Sequence, residues 1–189
     1  GKSEKLIESI ANYVNLPKQM VGIGNGSDQI LDIILSNFAS KKTKILTSNP
    51  TFGFFEERCK LYSIPTIKIP FTKNMTLDIE DFLSKSKQAD ILYLDSPNNP
   101  TGFQFKKDEI TKLIQKFDGI VVIDEAYGEF SDYSVSNLVK KYENLIVVRT
   151  FSKSFGLAGL RLGYVLSNKK FTDVFSRVLQ YPYPLNTLA

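Results

Sequence analysis

The sequence has 189 residues, none of them histidine and only one of them cysteine, Cys59. Without imidazole and with a single thiol it lacks the usual nitrogen and sulfur ligands of zinc, so no metal site is expected. The same absence removes Ser–His–Asp and Cys–His catalysis, and an enzyme here must handle protons with lysine, carboxylates, tyrosine or a cofactor. One cysteine also excludes an intramolecular disulfide. Long apolar runs are missing: none approaches the ~20 residues a membrane-spanning helix needs, and Gly1-Lys2-Ser3-Glu4 has no apolar stretch behind a basic patch. A soluble, cytoplasmic protein with no membrane partner is expected. Nor is charge concentrated in one sign: 24 basic residues are dispersed among 20 acidic ones, so the net charge of +4 reads as a solvated surface, and no nucleic-acid partner is expected. No Walker lysine pattern occurs, and the spacing of Gly22, Gly24 and Gly26 does not match the dinucleotide fingerprint.

What is present, 42% hydrophobic and 23% charged residues, is the composition of one globular domain. A chain of this length buries roughly 70% of its unfolded surface and needs no covalent staples. Apolar, β-rich runs of about five residues alternate with amphipathic stretches of ten or more, which predicts an α/β fold: a three-layer α/β/α sandwich on a mostly parallel central sheet. Helices are expected over 3–13 and after Gly22-Ile23-Gly24-Asn25-Gly26, read as a turn that delivers Ser27 and Asp28 as caps. Further helices follow Thr51, Asp78 and Phe105, and a short one follows Ile123. Strands are expected around 44–47, 66–69, 91–94, 120–123, 145–148 and 163–166. Beginning without methionine and stopping without a helix cap or closing charge cluster, the sequence reads as a piece of a longer protein.

Ligands of such sheets bind beyond the carboxyl ends of the strands. Those positions are polar here: Asp95 to Gly102 after Leu94, Asp124-Glu125-Ala126-Tyr127 after Ile123, and Arg149 to Ser154 after Val148. If the strands are neighbours, a lysine, a carboxylate, a tyrosine, an asparagine, two hydroxyls and Arg161 gather in one place. A lysine in a partly dehydrated pocket favours the neutral amine and forms a Schiff base with a carbonyl, and Lys153, between small hydroxyl residues in a Gly-rich loop, is the candidate. The helix start at Gly26-Ser27-Asp28 offers free backbone N–H groups to an anion such as phosphate, although Ser27 and Asp28 can equally be plain caps.

The stretches Ser96-Pro97-Asn98-Asn99-Pro100-Thr101-Gly102, Asp124-Glu125-Ala126-Tyr127 and Thr150 to Gly163 together resemble the pyridoxal-phosphate-dependent aminotransferases of fold type I, class I/II. Gly26-Ser27-Asp28, Pro50-Thr51-Phe52-Gly53 and Pro182-Tyr183-Pro184-Leu185-Asn186 are, within that superfamily, most similar to the histidinol-phosphate aminotransferases. The resemblance implies pyridoxal 5'-phosphate as cofactor and transamination of an amino donor with a 2-oxo acid, histidinol phosphate with 2-oxoglutarate. It leaves open a broad-specificity aromatic or aspartate aminotransferase, a threonine-phosphate decarboxylase of the same fold, or a catalytically silent binding domain. It implies that Lys153 bonds the cofactor and shuttles the substrate proton, that Asp124 pairs with the pyridine nitrogen, and that Asn99 and Tyr127 bond the phenolic oxygen. By the same resemblance Phe52 would stack on the ring, and Ser27, Asp28, Thr150, Ser152 and Arg161 would hold the phosphate. Phe52 stands where tyrosine is common in the sub-family, and Gln29 where glutamate is usual. The family's N-terminal arm, its small C-terminal domain and the partner tyrosine of its homodimer are not found, so residues 1–189 read as the large, cofactor-binding domain alone.

Overall fold

The computed structural model describes residues 2–178 and 185. Seven strands form one sheet: β1 (Val21–Gly24), β2 (Ile45–Asn49), β3 (Thr66–Pro70), β4 (Ile91–Asp95), β5 (Ile120–Asp124), β6 (Leu145–Thr150) and β7 (Gly163–Ser167). Their order is β1-β7-β6-β5-β4-β2-β3. Pairing is parallel from β3 to β6, whereas β7 runs against both its neighbours, β6 and β1. The expected mostly parallel sheet is therefore present, with β7 the single reversed strand.

The helices are α1 (Lys2–Val14), α2 (Gly26–Phe38), α3 (Gly53–Leu61), α4 (Ile79–Lys85), α5 (Lys107–Lys116) and α6 (Lys169–Val178). Successive strand residues face opposite sides of the sheet, so each central strand feeds two cores. Leu92, Leu94, Val121, Ile123, Leu145 and Val147 pack with Ile10 of α1, Phe82 of α4 and Leu113 of α5. Ile91, Tyr93, Val122, Ile146 and Val148 pack with Leu31 of α2, Phe55 of α3 and Phe175 of α6. Strands buried on both faces must be apolar throughout, which is why Ile91 to Leu94 and Val121 to Ile123 read as unbroken runs.

Three expectations are corrected. Gly22-Ile23-Gly24 is strand β1, not a turn. Its glycines make room: a Cβ on Gly22 would lie 2.7 Å from Val165 Cγ1, and one on Gly24 2.9 Å from Ile30 Cγ1. Helix α2 starts two residues earlier than a Ser27 cap implies, with Asn25 at the cap, so Ser27 and Asp28 sit inside the first turn and cap nothing with their side chains. Gln29 closes that end instead, its Oε1 accepting the Asn25 backbone N–H at 2.8 Å. The segment after β5 forms 3-10 turns at Gly128–Phe130 and Ser136–Lys140 in place of a short α-helix. Helix α6 was not expected at all. Asp78 caps α4 as expected, accepting the Glu80 N–H at 2.9 Å. Among the described residues no helix is long and apolar enough to cross a membrane.

Candidate active site

Topology brings four segments to one edge of the sheet. Strands β4, β5 and β6 are parallel; Asp95 ends β4 level with Asp124 at the end of β5, and β6 runs two residues further, to Thr150. Because β7 returns antiparallel, pairing Gly163 with Thr150, the connecting residues 151–162 stay at that same edge and carry Lys153 and Arg161. Strand β1 points the same way as β6, so the amino end of α2 arrives there too. The contact is close: a Cβ on Gly163 would sit 2.5 Å from Gly26 C and Ser27 N, and Gly26 itself has φ +79°.

The cleft enclosed by these segments has a volume of about 130 Å³. Its walls include all ten residues singled out in the sequence: Ser27, Asp28, Phe52, Asn99, Asp124, Tyr127, Thr150, Ser152, Lys153 and Arg161. Asp95, Pro97 and Ala126 complete the lining and were missed as site residues. Residues 182–184 and 186 of the Pro-Tyr-Pro-Leu-Asn motif lie outside the described residues.

Asp124 is 2% exposed. Its Oδ1 accepts the Ala126 N–H at 2.9 Å and its Oδ2 accepts the Tyr93 hydroxyl at 3.1 Å. Burial, reinforced by the neighbouring charge of Asp95, pushes the carboxyl up to about 7. It makes no ion pair among the described residues. Asp95 is raised as well, chiefly by burial, and is held by three donors. Thr51 Oγ1 and Asn98 Nδ2 each donate at 2.9 Å to its Oδ1, and the Asn99 N–H donates at 2.7 Å to its Oδ2. One carboxylate thus ties the Phe52 loop to the Asn99 loop. Asn98, the other half of the Asn98-Asn99 pair, turns inward: its Oδ1 accepts the Thr101 hydroxyl at 2.6 Å, and its Nδ2 also bonds the Pro50 carbonyl at 3.2 Å. The Asn99 side-chain amide, on the cleft wall, has no protein partner among the described residues.

At the opposite end are hydroxyls and a guanidinium. Thr150 Oγ1 donates to Ser152 Oγ at 3.0 Å and accepts the Ser152 N–H at 3.1 Å. Arg161 Nη2 bonds Asp28 Oδ2 at 3.1 Å and Nη1 approaches Ser152 Oγ at 3.5 Å, which aims the fork of donors across the amino end of α2. Lys153 is exposed at the mouth, its Nζ 5.4 Å from the centroid of the Tyr127 ring. The expectation of a partly dehydrated lysine is therefore not met: residues 153–159 form an open loop that buries none of its side chains.

Behind Tyr127 lies an ionic network that sequence reasoning did not identify. Arg149, 6% exposed, bonds Glu125 Oε2 through Nε at 2.9 Å and Nη2 at 2.8 Å, and Glu129 Oε1 through Nη1 at 3.0 Å. Glu125 also accepts the Ser134 hydroxyl and the Val135 N–H. Burial opposes the guanidinium charge, but Glu125 beside it holds the pKa above its ordinary value. Ser154 Oγ reaches Glu129 Oε2 at 3.2 Å, so the network touches the loop of Lys153.

Residues 2–184 match the family model of aminotransferase class I and II. The chain belongs to that family. A histidinol-phosphate aminotransferase of Pyrococcus furiosus is 40% identical over 186 residues, 98% of this chain and 54% of the relative. The chain thus spans about half the length of the relatives it matches. The solved structure of histidinol-phosphate aminotransferase from Sinorhizobium meliloti in complex with pyridoxal-5'-phosphate superposes with a TM-score of 0.85 at 26% identity, covering 92% of this chain and 49% of that one. An L-threonine-O-3-phosphate decarboxylase from Porphyromonas gingivalis superposes with a TM-score of 0.79 at 25% identity, over 98% of this chain and 55% of the neighbour.

Proposed function

We propose that residues 1–189 form the large, cofactor-binding domain of a cytoplasmic, homodimeric pyridoxal-phosphate-dependent aminotransferase that uses histidinol phosphate as amino donor and 2-oxoglutarate as acceptor. The observation that carries this reading is the cleft itself: a buried carboxyl without an ion-pair partner among the described residues at one end, hydroxyls and a guanidinium at a helix amino end at the other, and one lysine at the mouth. The residues fit the group. Asp124 lacks a cation that a protonated ring nitrogen supplies, Asn99 has an amide free for an oxygen, and Thr150, Ser152, Ser27 and Arg161 are donors suited to a phosphate.

Bound there, pyridoxal phosphate supplies an electron sink for a carbanion at the substrate Cα. The chain's own residues do the remainder. Asp124 holds a proton on the ring nitrogen, and that pairing restores the charge that burial discourages. Asn99 Nδ2 and the Tyr127 hydroxyl donate to the phenolic oxygen. Phe52 covers one face of the ring, with Phe54 behind it at 5.9 Å between centroids. Arg161 gives the phosphate a planar fork, held in line by Asp28, while the first N–H groups of α2 add the positive end of the helix dipole. Lys153 is the residue that would hold the cofactor at its carbonyl carbon through Nζ, the carbonyl oxygen leaving as water, and its Nζ, once freed, would take the proton from the substrate Cα.

The test is an absorption spectrum of the purified chain with pyridoxal phosphate, followed by borohydride reduction and peptide mapping. A new band near the visible edge and a label on Lys153 are expected; label scattered over surface lysines would remove Lys153 from this role. The resemblance to the threonine-phosphate decarboxylase favours one second reading, decarboxylation of a phosphorylated amino acid on the same scaffold. Release of carbon dioxide without formation of an oxo acid distinguishes it.

A further inference from the structure

The buried end of the cleft contains more ionisable chemistry than a single carboxylate. Tyr93 and Asp95 are two apart on β4, so they share a face of the sheet. In the parallel register Tyr93 lies opposite Val122 and Asp95 opposite Asp124. That places Asp124 beside one carboxyl group and diagonally above one phenol. Tyr93 is fully buried, stacked on Phe55 with centroids 3.6 Å apart and planes 13° apart, and its hydroxyl donates to Asp124 Oδ2 at 3.1 Å. A phenol locked by stacking has one orientation to offer, and it offers it to Asp124. Burial and the nearby Asp124 charge keep the phenol itself protonated, well above its ordinary range, so it remains a donor. Asp95 has both oxygens engaged by Thr51, Asn98 and Asn99, donors that stabilise its ionised form.

We propose that Tyr93 and Asp95 are positioning residues that set the orientation and charge of Asp124 in opposite senses, the phenol favouring the carboxylate and the second carboxyl group opposing it. Other ionisable groups face Asp124 from the surrounding elements. Asp28 of α2 adds to the repulsion, Cys59 of α3 lies beyond Tyr93, and Tyr127, Lys153 and Arg161 stand across the cleft. None of these bonds Asp124 directly, which leaves Tyr93 as its side-chain partner. The balance keeps the ligand-free carboxyl near neutrality, ready to be drawn into full ionisation by a cation arriving in the cleft.

The inference rests on the proposed function only for the identity of that cation, and its test does not need the cofactor. Carboxyl-carbon NMR titration of the ligand-free chain, with Asp124→Asn to assign the signal, reads the midpoint directly. Tyr93→Phe keeps the ring and its stacking on Phe55 and removes one oxygen; the Asp124 midpoint is expected to rise by about one pH unit, a tenfold change in proton affinity. Asp95→Asn keeps an acceptor for Thr51 and Asn98 and removes the charge; the midpoint is expected to fall by a similar amount. A purely structural role for either residue does not predict shifts of opposite sign. An unmoved midpoint in Tyr93→Phe, or shifts of the same sign in both variants, overturns the proposal; if Asp95→Asn does not fold, the Tyr93→Phe result decides alone. At pH 7 the dissociation constant for pyridoxal phosphate is expected to rise about fivefold in Tyr93→Phe, because the ionised fraction of Asp124 falls by that factor, while that for inorganic phosphate is unchanged. A wild-type chain whose Asp124 titrates as described but which binds no pyridoxal phosphate would defeat the proposed function and leave this inference standing.

Discussion

Asp124 gives the ligand-free molecule a pH dependence whose sign follows from its surroundings. Its carboxyl titrates near 7 when folded and near the ordinary value of 3.8 when unfolded, so between those values the native state binds the extra proton. Stability contributed by this group is therefore full below about pH 4 and is lost as pH rises through 7, by an amount on the order of a few kcal/mol. Thermal melting of the ligand-free chain from pH 4 to 8 is expected to show that decline, and Asp124→Asn, which keeps an acceptor for the Ala126 N–H and turns a donor toward the Tyr93 hydroxyl, is expected to flatten it. The same substitution is expected to slow single-turnover conversion of amine to oxo acid by about 10² or more, because the charge that holds the ring nitrogen protonated is gone. Unchanged single-turnover rates would take Asp124 out of that role. Asp124, Lys153 and Asn99 were legible in the sequence because their spacing follows strand ends. Asp95 and Tyr93 were not, since their importance depends on which residue of β5 lies opposite, and no single strand encodes its register with another. The exposure of Lys153 was misjudged for a related reason: a Gly-rich loop between small residues looks the same in sequence whether it folds over a cleft or stands open.

The elements whose amphipathic or apolar runs are long and unbroken were read correctly, as with α5 and β4 to β6; the errors fall where glycine or charge carries two meanings. Gly22 and Gly24 resemble turn residues, yet Val165 and Ile30 crowd the space their side chains would fill. Helix α6 begins Lys169-Lys170 and buries Thr172 and Phe175 against the sheet, a contact visible only once α2 and β1 are in place. Gly163 is the element-level test of the phosphate end, because the amino end of α2 rests on it. Gly163→Ala is expected to cost about 1–3 kcal/mol by forcing two backbones apart, and to weaken inorganic phosphate binding beyond what the loss of stability explains. Calorimetry of both quantities on the same sample checks this. The Arg149 network makes a contrasting prediction at the same scale. Arg149→Ala leaves Glu125 buried without its counter-charge and is expected to destabilise the chain by about 3–5 kcal/mol in urea unfolding. Glu129→Gln, at the more exposed edge of the network, is expected to cost under about 1 kcal/mol by the same measurement.

At the scale of the molecule, the described residues of this chain line a cleft, but a substrate must be bound as well as a cofactor. On the proposed reading the walls would supply donors for a phosphate, a partner for a ring nitrogen and an amide for an oxygen, and would then be used up. Arg161 is already engaged with Asp28, and Arg149 with Glu125 and Glu129, so neither guanidinium of the cleft region is free to clamp a substrate carboxylate or a second phosphate. Large apolar side chains stand exposed beside the mouth, Phe130 at 68%, Phe155 at 38% and Leu157 at 39%, a surface suited to being covered. Relatives nearly twice as long offer the material to do both, since the chain accounts for 54% of the Pyrococcus furiosus protein. Cofactor capture and turnover are therefore expected to separate. The 189-residue chain is expected to form the absorbance band with pyridoxal phosphate, yet to transaminate histidinol phosphate at least about 10²-fold more slowly than a protein extended to the relatives' length. Steady-state assays of the two lengths, each saturated with cofactor, make the comparison. Equal rates would mean that the substrate is held by residues 1–189 after all, and would move the search for its clamp back to the residues that line the cleft.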